Sequence, residues 1–353
     1  MATEFTFRLN NNGGLTVVAL PGFADIASTV QQEIQNKYGY VVDLVVPAFD
    51  LRASGEPFIK LRKEHLGGHD VVAITSGPGT YEMLGQLQLL LHYLKARRAR
   101  RIAVVTAYSP LGRSDKDEGM DELALIPHVI HSLRSAAYGQ LDRIMTVDMH
   151  SPQSVMAAGE MGIITPYSMA RHVLRAAIRD TISERGKVCL MLPDDGARKR
   201  FKDAIDRLEA EFAETFPIVV GQKIRTSSTE SRSIGFFGDV EKMRGATVIS
   251  FDDEIGTGKT TIDAATSAKK QFHAKKFINA IIHGVFCKNA PELFGDPRCP
   301  VSRTYVTDTI PILSRPKLKA LVDKGRIRVV TWAHELAEIV HLHHWDESTR
   351  EIC

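Results

Sequence analysis

The sequence has few cysteines, little excess charge and no long apolar run, and each of these absences excludes a class of protein. Its four cysteines form no C-x-x-C pair, so we expect neither a zinc site nor a dense disulfide framework. A formal charge of +3 gives no general indication of a polyanion-binding protein. No apolar run reaches the ~20 residues that span a bilayer, and the N-terminus lacks the basic-then-apolar pattern of a signal peptide. These absences predict a cytoplasmic protein that binds neither nucleic acid nor membrane.

What the sequence does contain is an alternation of short β-branched runs and longer helical patterns. Strands are predicted at 15–20, 41–46, 70–75, 102–106, 143–147, 188–192, 217–220, 247–251, 277–283, 302–307 and 326–330, and helices at 26–37, 81–95, 122–138, 198–212, 259–271 and 333–342. Several strands are apolar throughout, as in a parallel sheet buried on both faces. At roughly 100–200 residues per domain the length allows two domains. We therefore predict an α/β fold of two doubly wound parallel-sheet domains, 1–160 and 161–353.

The segment Val248–Thr261 carries the clearest chemical pattern. An apolar strand ends in Asp252 and Asp253, and the Gly/Thr-rich turn Gly256–Thr260 then opens a helix. In an open α/β sheet ligands bind beyond the carboxyl ends of the strands, so the acids could accept hydrogen bonds from vicinal hydroxyls. Backbone N–H groups at the helix start could bind a phosphate. A P-loop is excluded because Asp253 stands where that motif needs glycine. The remaining alternative is an ordinary strand-to-helix turn with surface acids.

Two further strands end in groups that suit a metal ion or a phosphate. Asp148 and His150 follow the strand at 143–147 and point to one face, where a neutral imidazole could ligate a cation. The alternative for His150 is a structural histidine. Asp194 follows the strand at 188–192, and a carboxylate there suits Mg²⁺. The basic residues at 198–200 that come next could equally be a solvated helix face.

A charged loop, Ala107–Gly119, follows the strand at 102–106. Its Arg113 and Lys116 could bind a triphosphate, which needs arginine forks and lysine charges brought together. The alternative is a mobile charged loop. The basic run Lys95–Arg101 is interpreted differently, as a solvated helix end whose cations complement the helix dipole.

Taken in this order, the segments resemble the ribose-phosphate pyrophosphokinases from about Leu15 to Leu342. The strongest stretches are SGPGT at 76–80, GRSDKD at 112–117, TVDMHSPQ at 146–153, PDDGARKR at 193–200, FFGDV at 236–240, FDDEIGTGKTT at 251–261, HGVF at 283–286 and VTDTIP at 306–311. The resemblance implies two domains of phosphoribosyltransferase type. It implies Mg²⁺-dependent transfer of the diphosphoryl group of ATP to the 1-hydroxyl of ribose 5-phosphate, and a homo-oligomer, either a dimer or a hexamer.

The resemblance also implies roles for individual residues. Lys223 and Arg225 would be catalytic, and His150 and Asp194 would bind Mg²⁺. ATP would be bound by Phe49, Ser54, Gly55, Glu56, Arg113, Ser114, Asp115 and Lys116. The ribose phosphate would be bound by Asp252, Asp253, Gly256, Thr257, Gly258, Lys259 and Thr260. The Ser/Thr/Glu-rich segment 226–233 would form a lid that excludes water from the site.

The sequence departs from the family pattern mainly in the segment 252–260, which would bind the ribose phosphate of the acceptor. The family loop reads D-D-x-x-D-T-x-G-T, and here Gly256 replaces the third aspartate and Lys259 replaces a glycine. The loop thus loses one negative charge and gains one positive charge. Ser114 replaces a glutamine that contacts ATP, and the region after Lys116 lacks the pattern expected for allosteric control by phosphate.

These departures leave two alternatives open. One is the same chemistry on another ribose acceptor such as ADP-ribose, whose second phosphate Lys259 could reach. The other is a non-catalytic, synthetase-associated regulatory subunit. The retention of His150, Asp194, Lys223 and Arg225 argues against the regulatory subunit, because a protein without catalytic activity does not need them.

Overall fold

The computed structural model describes residues 13–63, 65–115, 121, 123–150, 163–225, 232–349 and 352. The chain divides into two compact units. The first unit is formed by residues 1–167 together with 333–353, and the second by residues 168–332. Within the described residues, no helix has both the length and the apolar character needed to cross a membrane.

The first unit is built on a parallel sheet. Its elements are β1 (Leu15–Ala19), α1 (Ala24–Tyr38), β2 (Val42–Val45), β3 (Ala48–Leu51), β4 (Pro57–Lys60), β5 (Asp70–Thr75), α2 (Tyr81–Ala96), β6 (Arg101–Thr106), α3 (Ile126–Ala136), β7 (Leu141–Val147) and β8 (Ile164–Tyr167). Six strands lie in the order β2-β1-β5-β6-β7-β8, and all neighbours are parallel. β3 and β4 form a separate antiparallel hairpin.

The second unit has a larger sheet. Its elements are α4 (Ala170–Ser183), β9 (Val188–Leu192), α5 (Asp195–Arg200), α6 (Lys202–Phe212), β10 (Ile218–Arg225), β11 (Arg232–Gly238), β12 (Thr247–Ile255), α7 (Lys259–Phe272), β13 (Lys276–Gly284), α8 (Ala290–Gly295), β14 (Arg303–Thr307), α9 (Pro316–Asp323) and β15 (Ile327–Val330). The strand order is β11-β10-β9-β12-β13-β14-β15. All neighbours are parallel except β10 and β11, which form an antiparallel pair.

The predicted α/β architecture with parallel sheets is confirmed. β5 and β9 begin and end where the apolar runs predicted, and every residue of both strands is buried. The predicted helix 198–212 is instead two helices, α5 and α6, interrupted at Phe201. The predicted helix 122–138 begins only at Ile126, with Pro127 in its first turn, where proline is tolerated. The hairpin β3–β4, the strands β8 and β11 and the helices α4, α8 and α9 were not predicted.

The last helix, α10 (Ala333–His344), corrects the predicted domain division. The sequence placed it in a second domain spanning 161–353, but it belongs to the first unit and packs against α1. Its Leu336, Ile339 and Val340 are fully buried, and His344 Nδ1 lies 2.8 Å from Asp70 Oδ2 at the start of β5. An apolar helix face and a buried polar contact therefore hold the C-terminal segment to the first unit. The predicted boundary after residue 160 lies outside the described residues.

Candidate active site

The carboxyl edge of the sheet in the second unit gathers three of the sequence motifs. β9, β12 and β13 are adjacent and parallel, so their carboxyl ends lie at one edge of the sheet. Asp194 follows β9, Asp252 lies near the end of β12, and the HGVF turn ends β13. The acids of two separate motifs are therefore brought to the edge where open α/β sheets bind their ligands.

A cavity of about 620 Å³ lies beside the end of β9. It is lined by Asp194, Asp195, Gly196, Arg198, Ile218, Val220, Gly221, Phe237 and Gly238. Asp194 Oδ1 accepts a hydrogen bond from the Ala197 N–H at 2.7 Å, which caps α5. Asp194 and Asp195 are both exposed at this cavity, and such carboxylate oxygens are ligands that Mg²⁺ prefers.

The other predicted metal ligand, His150, is exposed and belongs to the first unit. Asp194 belongs to the second unit. Among the described residues, no group of three or more histidine, cysteine, aspartate or glutamate side chains is arranged to hold a metal ion. Carboxylates at the cavity thus fit a Mg²⁺ ion that takes most of its ligands from water and phosphate oxygens.

Asp252 and Asp253 lie within β12 rather than after it, because the strand continues to Ile255 and its pairing with β13 runs from Thr247 to Ile255. Asp253 is only 3% exposed, and its Oδ2 accepts a hydrogen bond from Arg200 Nη1 at 3.1 Å. Arg200 also stacks over the ring of Phe201. The sequence offered a solvated helix face for Arg200, whereas in the structure this residue orients Asp253. The contact joins positions 53 residues apart, which periodicity cannot reveal.

Asp252 is half-buried, and its carboxylate Oδ1 accepts a hydrogen bond from the Asp253 N–H at 2.9 Å. The pKa of Asp252 lies well above its ordinary value, first because the group is withdrawn from water and then because of the hydrogen bond and negative charge of Asp253. A carboxyl group with a raised pKa can donate as well as accept a hydrogen bond. Asp252 is therefore suited to a hydroxyl-bearing ligand.

The acceptor loop, residues 255–260, leads from β12 into α7. Gly258 has φ +72°, and a Cβ atom on it would lie 2.3 Å from Phe294 Cε2, so only glycine fits there. Gly256 has no such constraint, because a Cβ atom there would make an ordinary 3.7 Å contact with Cys287 Sγ. Thr257, Lys259 and Thr260 are exposed at the start of the 14-residue helix α7. The free N–H groups of such a helix start bind anions.

The predicted catalytic residues lie on a hairpin that extends past this edge. β10 pairs with β9 only from Ile218 to Val220, and its last five residues pair with β11 alone. The backbone of Lys223 therefore lies three residues, about 10 Å, beyond the point where β9 ends. Arg225 lies two residues further along β10. Most of the predicted lid 226–233 lies outside the described residues.

In the first unit, three motifs meet at a corresponding edge. β5, β6 and β7 are adjacent and parallel, and they lead into the SGPGT turn, the charged loop and Asp148. Ser76 Oγ accepts a hydrogen bond from the Tyr108 N–H at 2.7 Å, and Thr80 Oγ1 caps α2 by accepting one from the Met83 N–H. The carboxyl ends of these strands thus bring the 76–80 turn beside the loop that begins at Ala107.

The predicted ATP-binding residues of the first unit fall on two features. Phe49 lies on β3 and packs against the core, whereas Ser54, Gly55 and Glu56 form the exposed tip of the β3–β4 hairpin. Arg113 is exposed in the charged loop and Asp115 is half-buried there, while Lys116 lies outside the described residues. The Ser114 hydroxyl links this loop to the residues just before α3, because it donates to Leu123 O at 3.1 Å and accepts from the Leu125 N–H at 3.2 Å.

Comparisons with known proteins give several matches to one family, although no protein-family model matches the chain. The chain is 28% identical over 300 residues to the ribose-phosphate pyrophosphokinase of Rhodopirellula baltica. This match covers 84% of this chain and 87% of that relative. It is 27% identical over 290 residues to the ribose-phosphate pyrophosphokinase of Thermotoga maritima, covering 82% and 84%. It is 28% identical over 252 residues to ribose-phosphate pyrophosphokinase 4 of Saccharomyces cerevisiae, covering 70% and 72%.

A solved structure also matches. The crystal structure of phosphoribosylpyrophosphate synthetase from Mycobacterium smegmatis superposes with a TM-score of 0.72 and 23% identity, over 94% of this chain and 99% of that chain. This likeness confirms the predicted fold class. Together with the sequence matches, it confirms the resemblance that the collinear motifs indicated.

Proposed function

We propose that this chain, a divergent relative of the ribose-phosphate pyrophosphokinases, transfers the diphosphoryl group of ATP to the 1-hydroxyl of ribose 5-phosphate in a Mg²⁺-dependent reaction. The products would be phosphoribosyl diphosphate and AMP. The similarity to curated relatives supports a transferase of the ribose-phosphate diphosphokinase type, as the sequence predicted. The observation that carries the proposal is the clustering of Asp194, Asp252 and the start of α7 at one sheet edge of the second unit.

The acceptor half of the reaction fits the acceptor loop and the acids of β12. The N–H groups at the start of α7 would bind the 5-phosphate. Asp252, with its raised pKa, would hydrogen-bond a ribose hydroxyl. Asp253 would act through its backbone and its contact with Arg200 rather than as an exposed acceptor.

The donor half needs positive charge and in-line placement more than covalent chemistry. Lys223 and Arg225 on β10 would stabilise the charge that develops on the transferring diphosphoryl group. Asp194 and Asp195 would hold Mg²⁺, which when bound neutralises negative charge on phosphate oxygens. ATP would be held by the exposed tip of the β3–β4 hairpin and by Arg113.

One observation favours a second acceptor. Lys259 is exposed at the first residue of α7 and has no ion-pair partner in the described part of the chain. An acceptor with a second phosphate, such as ADP-ribose, would supply that partner. Replacement by glycine, the family residue, would then raise the KM for ADP-ribose by roughly 5- to 100-fold, as for the loss of a charged hydrogen bond. The same change would leave the KM for ribose 5-phosphate nearly unaltered.

An acceptor panel tests these proposals. The protein is incubated with ATP and Mg²⁺ plus ribose 5-phosphate, ADP-ribose or no acceptor, and AMP release and product mass are followed. Phosphoribosyl diphosphate formed from ribose 5-phosphate supports the first proposal, and a heavier product from ADP-ribose alone supports the second. Absence of AMP in all three reactions contradicts both and favours a regulatory subunit. Persistence of activity in excess chelator would contradict the Mg²⁺ requirement.

The assembly and location of the protein stay proposals that follow from the relatedness. We expect a cytoplasmic homo-oligomer, either a dimer or a hexamer. Light scattering on the purified chain distinguishes these states from a monomer, and a monomer that remains active would contradict the expectation of an oligomer.

A further inference from the structure

Arg315, immediately before α9, is a half-buried cation whose hydrogen bonds all go to backbone carbonyls. Its Nη1 donates to Gly284 O at 3.0 Å, and its Nη2 donates to Val285 O at 2.7 Å and to Phe286 O at 2.9 Å. Among the described residues its side chain contacts these carbonyls and no carboxylate. Burial lowers the pKa of Arg315 from its ordinary value, yet an arginine remains charged at neutral pH. A positive charge therefore lies behind the turn that ends β13.

The turn held by Arg315 also holds the acceptor loop. The Phe286 N–H donates to Ile255 O at 2.9 Å, and the Cys287 N–H donates to Gly256 O at 3.2 Å. Each residue whose carbonyl accepts a hydrogen bond from Arg315 thus lies at most two residues from one whose N–H donates into the loop, and Phe286 does both. The arginine, the 284–287 turn and the start of the acceptor loop form one continuous hydrogen-bonded path.

Phe286 makes this path stiff. It has φ +44°, a conformation that non-glycine residues rarely adopt, and it is only 2% exposed. Its ring packs edge-on against Phe294 at 5.8 Å, and Phe294 in turn fills the space beside Gly258. Residues in such conformations persist where the surroundings over-determine them, typically at functional sites. The turn therefore fixes the acceptor loop at Ile255, at Gly256 and, through Phe294, at Gly258.

Stability alone does not account for an arginine at this position. Even a half-buried cation without a carboxylate partner costs free energy, and hydrogen bonds to neutral carbonyls recover only part of that cost. Beside a site for an anionic sugar phosphate the same charge becomes useful, because an unpaired cation in a partly desolvated position attracts the anion.

We propose that Arg315 is a positioning residue of the acceptor site, which locks the 284–287 turn against the acceptor loop and adds a positive charge next to that turn. The inference rests on the proposed function for its kinetic consequence. It names a residue that lies outside the motifs of the sequence analysis, the last of which ends at residue 311. Arg315 touches no substrate in this role and acts through the backbone of residues 284–287.

The kinetic test compares Arg315→Met, Arg315→Lys and a matched control, Arg303→Met. Arg303 is also half-buried in the second unit and donates to a backbone carbonyl, that of Gly325 at 3.3 Å, but at the amino end of β14. We expect Arg315→Met to raise the KM for the sugar-phosphate acceptor about tenfold or more, with the KM for ATP nearly unchanged. Arg315→Lys, which keeps the charge but loses the planar fork, should recover part of the loss. The control should leave both KM values unaltered.

Two kinetic results would overturn the inference. One is an acceptor KM in Arg315→Met equal to that of the wild type. The other is an equal rise in both KM values that Arg315→Lys does not relieve, which would indicate general loss of structure. Should Arg315→Met fail to fold, Arg315→Lys alone decides, because a normal acceptor KM in that variant would also contradict the proposal.

Amide hydrogen exchange separates this inference from the proposed function. Without any substrate, the amides of Phe286 and Cys287 should exchange faster in Arg315→Met than in the wild type, while the amides of β9 should not change. If the wild type turns over no acceptor, the proposed function fails but faster exchange still supports the positioning role. If exchange at Phe286 and Cys287 is the same in both proteins, the positioning role is wrong whatever the enzyme does.

Discussion

Charged groups at the amino edge of the first unit's sheet are paired, whereas several at the carboxyl edge of the second unit's sheet are not. Asp70, 1% exposed at the start of β5, accepts hydrogen bonds from Arg101 Nε at 3.0 Å and lies 2.8 Å from His344 Nδ1. Asp252, Lys259 and Arg315, by contrast, form no ion pair with an oppositely charged side chain among the described residues.

The difference separates two uses of charge. Burial alone would raise the pKa of Asp70, but the hydrogen bonds from His344 and Arg101 outweigh it and hold this pKa below its ordinary value. At Asp252 nothing outweighs burial, and its pKa is raised. A group with its partners in place stabilises the fold, while a group that lacks them is retained at a cost and is available to a ligand. The four predictions below test this contrast, from the largest expected effect to the smallest.

The first prediction concerns Lys223 and Arg225, the charges proposed to act on the reaction. We expect Lys223→Ala and Arg225→Ala each to lower kcat by about 10²-fold or more, because their charge is needed mainly in the transition state. The KM values and the free energy of unfolding should change little. Steady-state kinetics measure kcat and the KM values, and urea unfolding measures the free energy of unfolding. A double variant with wild-type turnover would remove these residues from the site.

The second prediction concerns the paired cluster of Asp70, Arg101 and His344. Asp70→Asn should lower the free energy of unfolding by about 3 kcal/mol, because it breaks a buried ion pair and leaves Arg101 without its main partner. Kinetic constants should stay close to wild type. The control is Lys37→Met, which removes an exposed pair with Glu338 and should cost at most a few tenths of a kcal/mol. Equal losses of unfolding free energy in both variants would mean that the buried cluster stabilises the fold no more than an exposed ion pair does.

The third prediction uses the two glycines of the acceptor loop as a matched pair. Gly258→Ala should lower the free energy of unfolding by about 1–3 kcal/mol, because its φ of +72° and the nearby Phe294 ring exclude a Cβ atom. Gly256→Ala, where a Cβ atom meets only Cys287 Sγ at 3.7 Å, should change it by less than about 0.5 kcal/mol. Urea unfolding of both variants decides. Equal stability would show that the loop relaxes away from Phe294.

Much of the fold could be predicted from the sequence, because parallel strands are recognisable locally. The apolar runs predicted the bounds of β5 and β9 to the residue. The rule that ligands bind beyond the carboxyl ends of parallel strands correctly predicted that the motifs of β9 and β12 share one edge. Elements with weak local patterns, such as β8 and the β3–β4 hairpin, escaped prediction. Local reasoning also ended β12 too early, because only its pairing with β13 extends it to Ile255.

The contacts that shape the candidate site could not be predicted, because they join residues far apart in sequence. Arg200 reaches Asp253 across 53 positions, and Arg315 reaches Gly284 across 31. Within the first unit, His344 of α10 meets Asp70 across 274 positions. Each of these residues has an ordinary polar or basic neighbourhood in the sequence. Their roles follow only from the topology of the sheets.

The last prediction concerns His343, beside the paired cluster, and the expected effect is the smallest. His343 lies 3.6 Å from Asp142, with Arg101, Asp70 and Arg143 also near it. Burial lowers the pKa of His343 from its ordinary value despite the attraction of Asp142. Below about pH 6.5, the unfolded chain therefore binds a proton that the folded chain resists, so the free energy of unfolding falls as the pH falls. Urea unfolding between neutral and mildly acid pH should show this slope, and His343→Gln should reduce it. His334→Gln, at an exposed position of the same helix, is the control. An equal reduction in the control, or a slope unchanged in His343→Gln, would place the pH dependence elsewhere in the molecule.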